Sequence, residues 1–383
     1  MGKSIKCGMV GGHLDAFIGE VHRKAIGFDP RAELVSGCFS SNSEKNIQTG
    51  ETYSLESDRI YSDYHEMAEK ESAREDGINF VSIVTPNSTH YQIAKAFLEK
   101  GINVVCEKPL CFTIEEAVEL VKLSKENKLL FGITYAYTGY TMSKVIKEMI
   151  AQGKIGNIVA VNGEYLQDWL LDELSMEAKG KQDLSVWRKD PKLSGISNCV
   201  GDIGTHIENY VHYVTGLEIK RVAATINTFG HPLELNANIL VQYENNINGA
   251  YWCSQITAGK LNGLSVRIYG DKGAIEWEQH YPDYVKFTPK GQPTQIISRG
   301  QGYLGNGAAT QSRLPSGHPE GLFVAFANIY RSYISALIKK NNGEKLVDAD
   351  LDFPSVTDGL NGVRFVHAVI NSGKNDSEWT NIK

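Results

Sequence analysis

Cys7-Gly8-Met9-Val10-Gly11-Gly12-His13-Leu14-Asp15-Ala16-Phe17-Ile18-Gly19 runs a short apolar strand into a glycine-rich turn, and Glu20, Val21, His22 and Ala25 continue it as a helix. That order suits a dinucleotide. Glycine lets the backbone turn tightly against a pyrophosphate, and the free amides and dipole at the helix start favour its charge. Gly11, Gly12, Phe17, Ile18 and Gly19 are therefore the candidates to hold it. Counted from Gly11 to Gly19, the loop is three residues longer than G-x-G-x-x-G, and a glycine turn that binds no phosphate is the competing reading. His22 reads as a structural residue or a neighbour of the pyrophosphate.

Downstream the rhythm repeats. Apolar runs at Ile5–Val10, Glu33–Phe39, Phe80–Val84, Asn103–Cys106 and Leu129–Thr134 alternate with helical patterns, such as His90–Glu99 with Tyr91, Ala94, Phe97 and Leu98 on one face. This predicts an α/β chain whose residues 1–135 form an N-terminal Rossmann domain, a doubly wound parallel sheet. After the second strand, where an acidic residue usually accepts the ribose hydroxyls, stands Phe39-Ser40-Ser41-Asn42-Ser43-Glu44-Lys45. Ser40 and Lys45 suit either a bare ribose or a 2'-phosphate, so the cofactor reads as NAD or NADP. Thr85-Pro86-Asn87 ends the third run where a nicotinamide ribose belongs, with His90 just beyond; a simple capped turn is the alternative.

Beyond Gly156 longer alternating stretches take over: Ile158–Tyr165, Arg221–Asn227, Asn238–Tyr243, Ile247–Ser254 and Leu264–Tyr269. They predict a C-terminal α/β domain over residues 136–383 with a large, open, mostly antiparallel sheet. Glu244-Asn245-Asn246 and Gly270-Asp271-Lys272-Gly273 suit hairpin connections. Helices are expected over Gly201–Thr215 and Leu322–Lys339, and a C-terminal helix over about residues 355–372 is a candidate to pack back on the first domain. Leu170–Asp183 and Gln292–Ser316 are polar and irregular, the pattern of loops over a site.

Composition narrows the class. The 383 residues are 42% hydrophobic and 22% charged, with a net charge of -6 and scattered Lys and Arg, so neither nucleic acid nor an anionic membrane is an expected partner. No run approaches the length of a membrane span, and Met1–Lys6 lacks the apolar stretch of a signal peptide. Cys7, Cys38, Cys106, Cys111, Cys199 and Cys253 are dispersed and read as buried free thiols of a reducing, cytoplasmic compartment. No C-x-x-C pair or compact His, Asp and Glu cluster points to a metal, and no G-x-S-x-G elbow points to a hydrolase.

At Cys106-Glu107-Lys108-Pro109-Leu110 and Gly201-Asp202-Ile203-Gly204-Thr205-His206 the chain resembles the glucose-fructose oxidoreductase, inositol dehydrogenase and rhizopine-catabolism (Gfo/Idh/MocA) family. Each motif is short, but their order after the glycine turn covers nearly the whole chain. The resemblance implies a Rossmann domain followed by an open α/β domain whose sheet often forms an oligomer interface, here a homodimer or homotetramer. It implies Lys108 and His206 as the catalytic pair with Asp202 nearby, and Glu107 beside the cofactor. Gln167-Asp168-Trp169, Val186-Trp187-Arg188 and Gly317-His318-Pro319-Glu320-Gly321 resemble segments of one uncharacterised branch, which makes Asp168, Trp169, Trp187, Arg188 and His318 substrate candidates. Tyr137, which follows the last Rossmann strand, joins them.

Those residue types suit hydride transfer from a secondary hydroxyl of a sugar or cyclitol. An imidazole near its pKa at neutral pH accepts the hydroxyl proton and returns it in reverse. Asp202, four residues before His206 and expected on the same helical face, would bind substrate or orient the ring. The Lys108 ammonium would stabilise the developing alkoxide. Without the motif order, each would read as an ordinary helix pair or turn. Two rival functions share the fold: a glycosidase that uses NAD transiently, and a non-catalytic nucleotide-binding regulator. The retained Lys108, Asp202 and His206 argue against the regulator, which needs no acid-base group.

Overall fold

A computed structural model describes residues 4–174, 190–304, 307 and 311–382. It divides into two compact units, Met1–Gly139 with Leu322–Leu360, and Tyr140–Gly321 with Asn361–Lys383.

In the first unit, β1 (Ile5–Gly11), β2 (Ala32–Cys38), β3 (Phe80–Val84), β4 (Asn103–Cys106) and β5 (Phe131–Ile133) form a parallel sheet in the order β2-β1-β3-β4-β5. Every residue of β3 and β4 is buried. That is why these strands read as unbroken apolar runs: a parallel sheet is covered on both faces. Helices α1 (Phe17–Gly27), α2 (Ser43–Thr52), α3 (Tyr64–Ala73), α4 (His90–Glu99) and α5 (Ile114–Glu126) supply the crossovers. α5 opens on a capping box in which the Thr113 hydroxyl accepts from the Glu116 amide and the Glu116 carboxylate accepts from the Thr113 amide.

The unit's core joins Cys7 and Met9 of β1, Val21, Ala25 and Ile26 of α1, and Phe326, Tyr330, Tyr333 and Leu337. The last four lie on the helix Leu322–Asn341, at the spacing of one helical face. A single cut after residue 135 therefore omits a segment that packing counts with the first unit: large buried aromatics, each stabilising by about 1.5–3 kcal/mol, hold it there.

In the second unit, β6 (Ile158–Leu166), β7 (Ile219–Asn227), β8 (Asn236–Tyr243), β9 (Asn248–Ser254), β10 (Gly263–Gly270), β11 (Gly273–Glu278), β12 (Tyr284–Pro289), β13 (Gln295–Ser298) and β14 (Thr380–Asn381) make a sheet in the order β13-β12-β11-β10-β6-β9-β8-β7-β14. Its pairings are antiparallel except β6 with β9. Helix α6 (Thr141–Ala151) precedes the sheet, and a helix at Thr205–Thr215 packs on one face of it: a Cβ on Gly163 would stand 2.3 Å from Ile207 Cγ2, and Tyr210 stacks on Trp277 at 4.9 Å. On the opposite face Leu240, Trp252 and Trp379 are exposed among the described residues.

Two sequence expectations change here. Gln292–Ser316 is not loop throughout, because Gln295–Ser298 pairs with β12. The helix expected from Gly201 splits into a π turn, Val200–Gly204, and a regular helix from Thr205. The physical reason is Glu234, whose Oε1 accepts from Ser197 Oγ at 2.6 Å and from the amides of Asn198 and Val200 at 3.0 Å, pinning the chain ahead of the helix. The C-terminal helix runs Val356–Lys374, its first five residues counted with the first unit and the rest with the second. All six cysteines are buried and unpaired as disulfides. Among the described residues no helix is long and apolar enough to cross a membrane.

Candidate active site

The glycine turn is built for close approach. Gly11 and Gly12 adopt φ of 81° and 72°, and a Cβ on Gly19 would stand 2.4 Å from Gly12 Cα and 2.7 Å from its carbonyl oxygen. Only glycine allows α1 to start this near β1. The Arg23 guanidinium donates to the Gly12 carbonyl and fixes the turn from behind. Ala16 offers α1 no side-chain cap, so the amides of its first turn are left for an anion, while Phe17 is exposed and Ile18 packs against the core. This is the cradle a pyrophosphate needs, and the residues present fit the group.

Around it lie the other first-unit candidates. Ser40 Oγ accepts from the Asn42 amide at 3.1 Å, and Lys45 Nζ pairs with Asp15 Oδ2 at 3.0 Å. Thr85 and Pro86 lead from β3 into a short turn at Asn87–Thr89. His90 is fully buried, with Nδ1 2.8 Å from the Pro109 carbonyl and Nε2 2.9 Å from the Thr85 carbonyl, so it ties the two turns together. Burial pushes its pKa down against the pull of those carbonyls.

Glu107 and Lys108 directly follow β4, and the Lys108–Pro109 peptide is cis. Glu107 is held on every side: its Oε1 accepts from His22 Nε2 at 2.9 Å and from Thr134 Oγ1 at 2.6 Å, and its Oε2 accepts from the Lys108 amide at 3.2 Å. His22 Nδ1 in turn meets the Tyr330 hydroxyl at 2.7 Å, which also meets Ser82 Oγ at 2.7 Å. Burial raises the Glu107 carboxyl, but the His22 hydrogen bond, aided by charge and Thr134, outweighs it and holds the pKa at about 2. His22 is therefore structural and adjoins the Lys108 turn. The sequence offered no sign of Tyr330 as its partner. Tyr137 is also in this unit, buried in the turn Ala136–Gly139.

In the second unit Asp202 sits on the π turn and His206 in the first turn of the helix after it. Such wide turns recur at functional sites. Asp202 Oδ2 accepts from Gln255 Nε2 at 2.8 Å, and Gln255 Oε1 accepts from Asn198 Nδ2 at 2.8 Å. His206 is buried, its ring 5.9 Å from that of Tyr165. The Tyr165 hydroxyl donates to Asn262 Oδ1 at 2.6 Å, and Gln167 Nε2 donates to the same oxygen at 2.7 Å. Trp169 Nε1 donates to Gln167 Oε1 at 2.8 Å, and Asp168 Oδ2 accepts from the Gly259 amide at 3.2 Å. The ends of β6 and β9 thus bring Asp168, Trp169, Asp202 and His206 into one polar neighbourhood.

His318 is exposed, and its backbone carbonyl, bonded by the buried Arg299, anchors its segment. Trp187 and Arg188 lie outside the described residues. Tyr165, Gln255 and Asn262 were not foreseen; neutral side chains in or beside alternating strands carry no pattern that separates them from an ordinary surface row.

Residues 5–135 match the oxidoreductase family with an NAD-binding Rossmann fold (GFO/IDH/MocA), and residues 144–276 match the GFO/IDH/MocA C-terminal domain. The uncharacterized oxidoreductase YfiI of Bacillus subtilis is 34% identical, over 100% of this chain and 98% of its own. An inositol dehydrogenase homolog from Azotobacter vinelandii, solved with NAD+, is 34% identical, covers 100% of this chain and 98% of its own, and superposes with a TM-score of 0.92. Its complex with NADH and myo-inositol superposes at 0.89. An oxidoreductase from Sinorhizobium meliloti is 40% identical over 99% of both chains, with a TM-score of 0.88.

Proposed function

The chain belongs to the GFO/IDH/MocA oxidoreductases, dehydrogenases with an NAD-binding Rossmann fold, and on that premise we propose that it oxidises a secondary hydroxyl of a cyclitol or sugar, and reduces the ketone in reverse. The observation that carries this reading is the turn at Lys108: an ammonium at the carboxyl end of a parallel strand, where doubly wound sheets bind ligands, fixed by the buried Glu107 and His90. The nicotinamide, when bound, supplies the hydride chemistry. Gly11, Gly12, Phe17, Ile18 and Gly19 hold the pyrophosphate, Ser40 and Lys45 border the adenosine ribose, and Thr85, Pro86, Asn87, His90 and Glu107 shape the nicotinamide end.

His206 takes the hydroxyl proton and gives it back in the reverse direction. Lys108 stabilises negative charge on the substrate oxygen. Asp202, set by Gln255, accepts hydrogen bonds from neighbouring substrate hydroxyls. Asp168 and Trp169, with Tyr137, Trp187, Arg188 and His318, are the further contacts for a polyol, whose C–H faces suit aromatic rings and whose hydroxyls suit carboxylates. The relative solved with myo-inositol supports a cyclitol. The apolar residues exposed on the sheet support a homodimer or homotetramer, and the free cysteines suit a reducing cytoplasm.

His206→Ala is expected to lower kcat by about 10²–10⁴-fold, and Lys108→Ala by about 10²–10³-fold, with NADH binding by His206→Ala nearly unchanged. Full turnover by either variant would remove that residue from the mechanism.

A further inference from the structure

In doubly wound nucleotide folds a carboxylate beyond the second strand accepts the adenosine ribose hydroxyls, while a cation there accommodates a 2'-phosphate. Here β2 ends at Cys38 and is followed by Phe39, Ser40, Ser41 and Asn42, with no carboxylate. Lys45 follows on the first turn of α2, its amide donating to Asn42 Oδ1 at 3.0 Å. Taken alone, that lysine would read as a grip for a 2'-phosphate.

The long glycine loop changes this. Leu14 N donates to Thr49 Oγ1 at 3.4 Å, which lays the loop against α2, and Asp15 reaches Lys45 Nζ at 3.0 Å. Among the described residues the other charged or titratable neighbour of Asp15 is His13, whose Nδ1 lies 3.7 Å from Asp15 Oδ2. We infer that Asp15 replaces the missing acid of β2 and makes the chain selective for NAD(H) over NADP(H). The inference rests on the dinucleotide reading of the glycine turn.

The 2'-hydroxyl of NAD donates to the exposed Asp15 carboxylate without disturbing the pair. A 2'-phosphate carries about two negative charges near neutral pH, would face that carboxylate, and could use Lys45 only by separating it from Asp15. The Lys45 hydrogen bond keeps Asp15 below the usual carboxylate range, so it is ionised where the enzyme works.

The test measures binding of NADH and NADPH to the full chain by nucleotide fluorescence, which needs no substrate. The wild type is expected to bind NADH about ten-fold tighter or more, and Asp15→Asn to cut that ratio by about ten-fold through a gain in NADPH affinity. Asp15→Asn with Lys45→Ala should lose the NADPH gain, and Lys45→Ala alone should show none. Preference of the wild type for NADPH, or a ratio unchanged by Asp15→Asn, would overturn the assignment while leaving the dinucleotide site standing. If neither nucleotide binds the wild type, the dinucleotide reading itself fails and this inference with it.

Discussion

Glu107 has no room to be an ordinary carboxylate: buried, it accepts from His22, Thr134 and the Lys108 amide. Its folded pKa of about 2 lies below the ordinary 4.5. A depressed carboxyl contributes stability that is complete above its unfolded pKa and is lost as pH falls through the folded one. Glu107→Gln should therefore destabilise the chain by about 3 kcal/mol at neutral pH, and thermal unfolding should show the gap narrowing between about pH 5 and about pH 2. A gap independent of pH would mean the carboxylate's charge is not what the turn depends on. Cys38 gives a second check: burial, reinforced by Asp63 and Glu66, pushes its thiol up to about 11, so it should resist a thiol reagent at mildly alkaline pH until the protein unfolds. At this scale short motifs mark Lys108, Asp202 and His206 as candidates. No motif marks Gln255 and Tyr330, because what selects them is a partner brought near by folding, Asp202 for one and His22 for the other.

Among elements, the glycine turn makes the sharpest demand. Gly19→Ala puts a methyl group 2.4 Å from Gly12 Cα, so α1 must move off β1. The expected result is a cost of about 1–3 kcal/mol in thermal or denaturant unfolding and loss of NADH binding. Binding at wild-type strength would show that the close approach is not needed. β3, β4 and α4 were readable to the residue, since apolar runs bounded by Thr85-Pro86 and Glu107-Lys108-Pro109 leave little freedom in where they end. β13 was not: Gln295–Ser298 is an edge strand with no buried residue, so its sequence has no alternation to read. The π turn was equally hidden, because Glu234, which pins its approach, sits beyond β7 in sequence.

For the whole molecule, the first unit is assembled from two distant pieces of chain. The glycine turn and the alternating runs announce the piece up to Gly139, whereas the share of Leu322–Leu360 in it depends on aromatic packing that no local pattern reveals. A fragment of residues 1–139 should consequently be unfolded or aggregated by circular dichroism, because it lacks Phe326, Tyr330 and Tyr333. A stable, cooperative fragment would contradict that role. Lys108 lies in the first unit, and Asp202 and His206 lie in the second. The proposed activity of the full chain is hydride transfer between NAD and a polyol. The most direct test follows absorbance in the reduced-nicotinamide band while the full chain and NAD are offered inositols, free sugars, sugar phosphates and glycosides. A rise with a cyclitol or sugar that His206→Ala abolishes is the expected result. No rise with any of them, from protein that binds NADH, or release of an aglycone without net reduction, would contradict it.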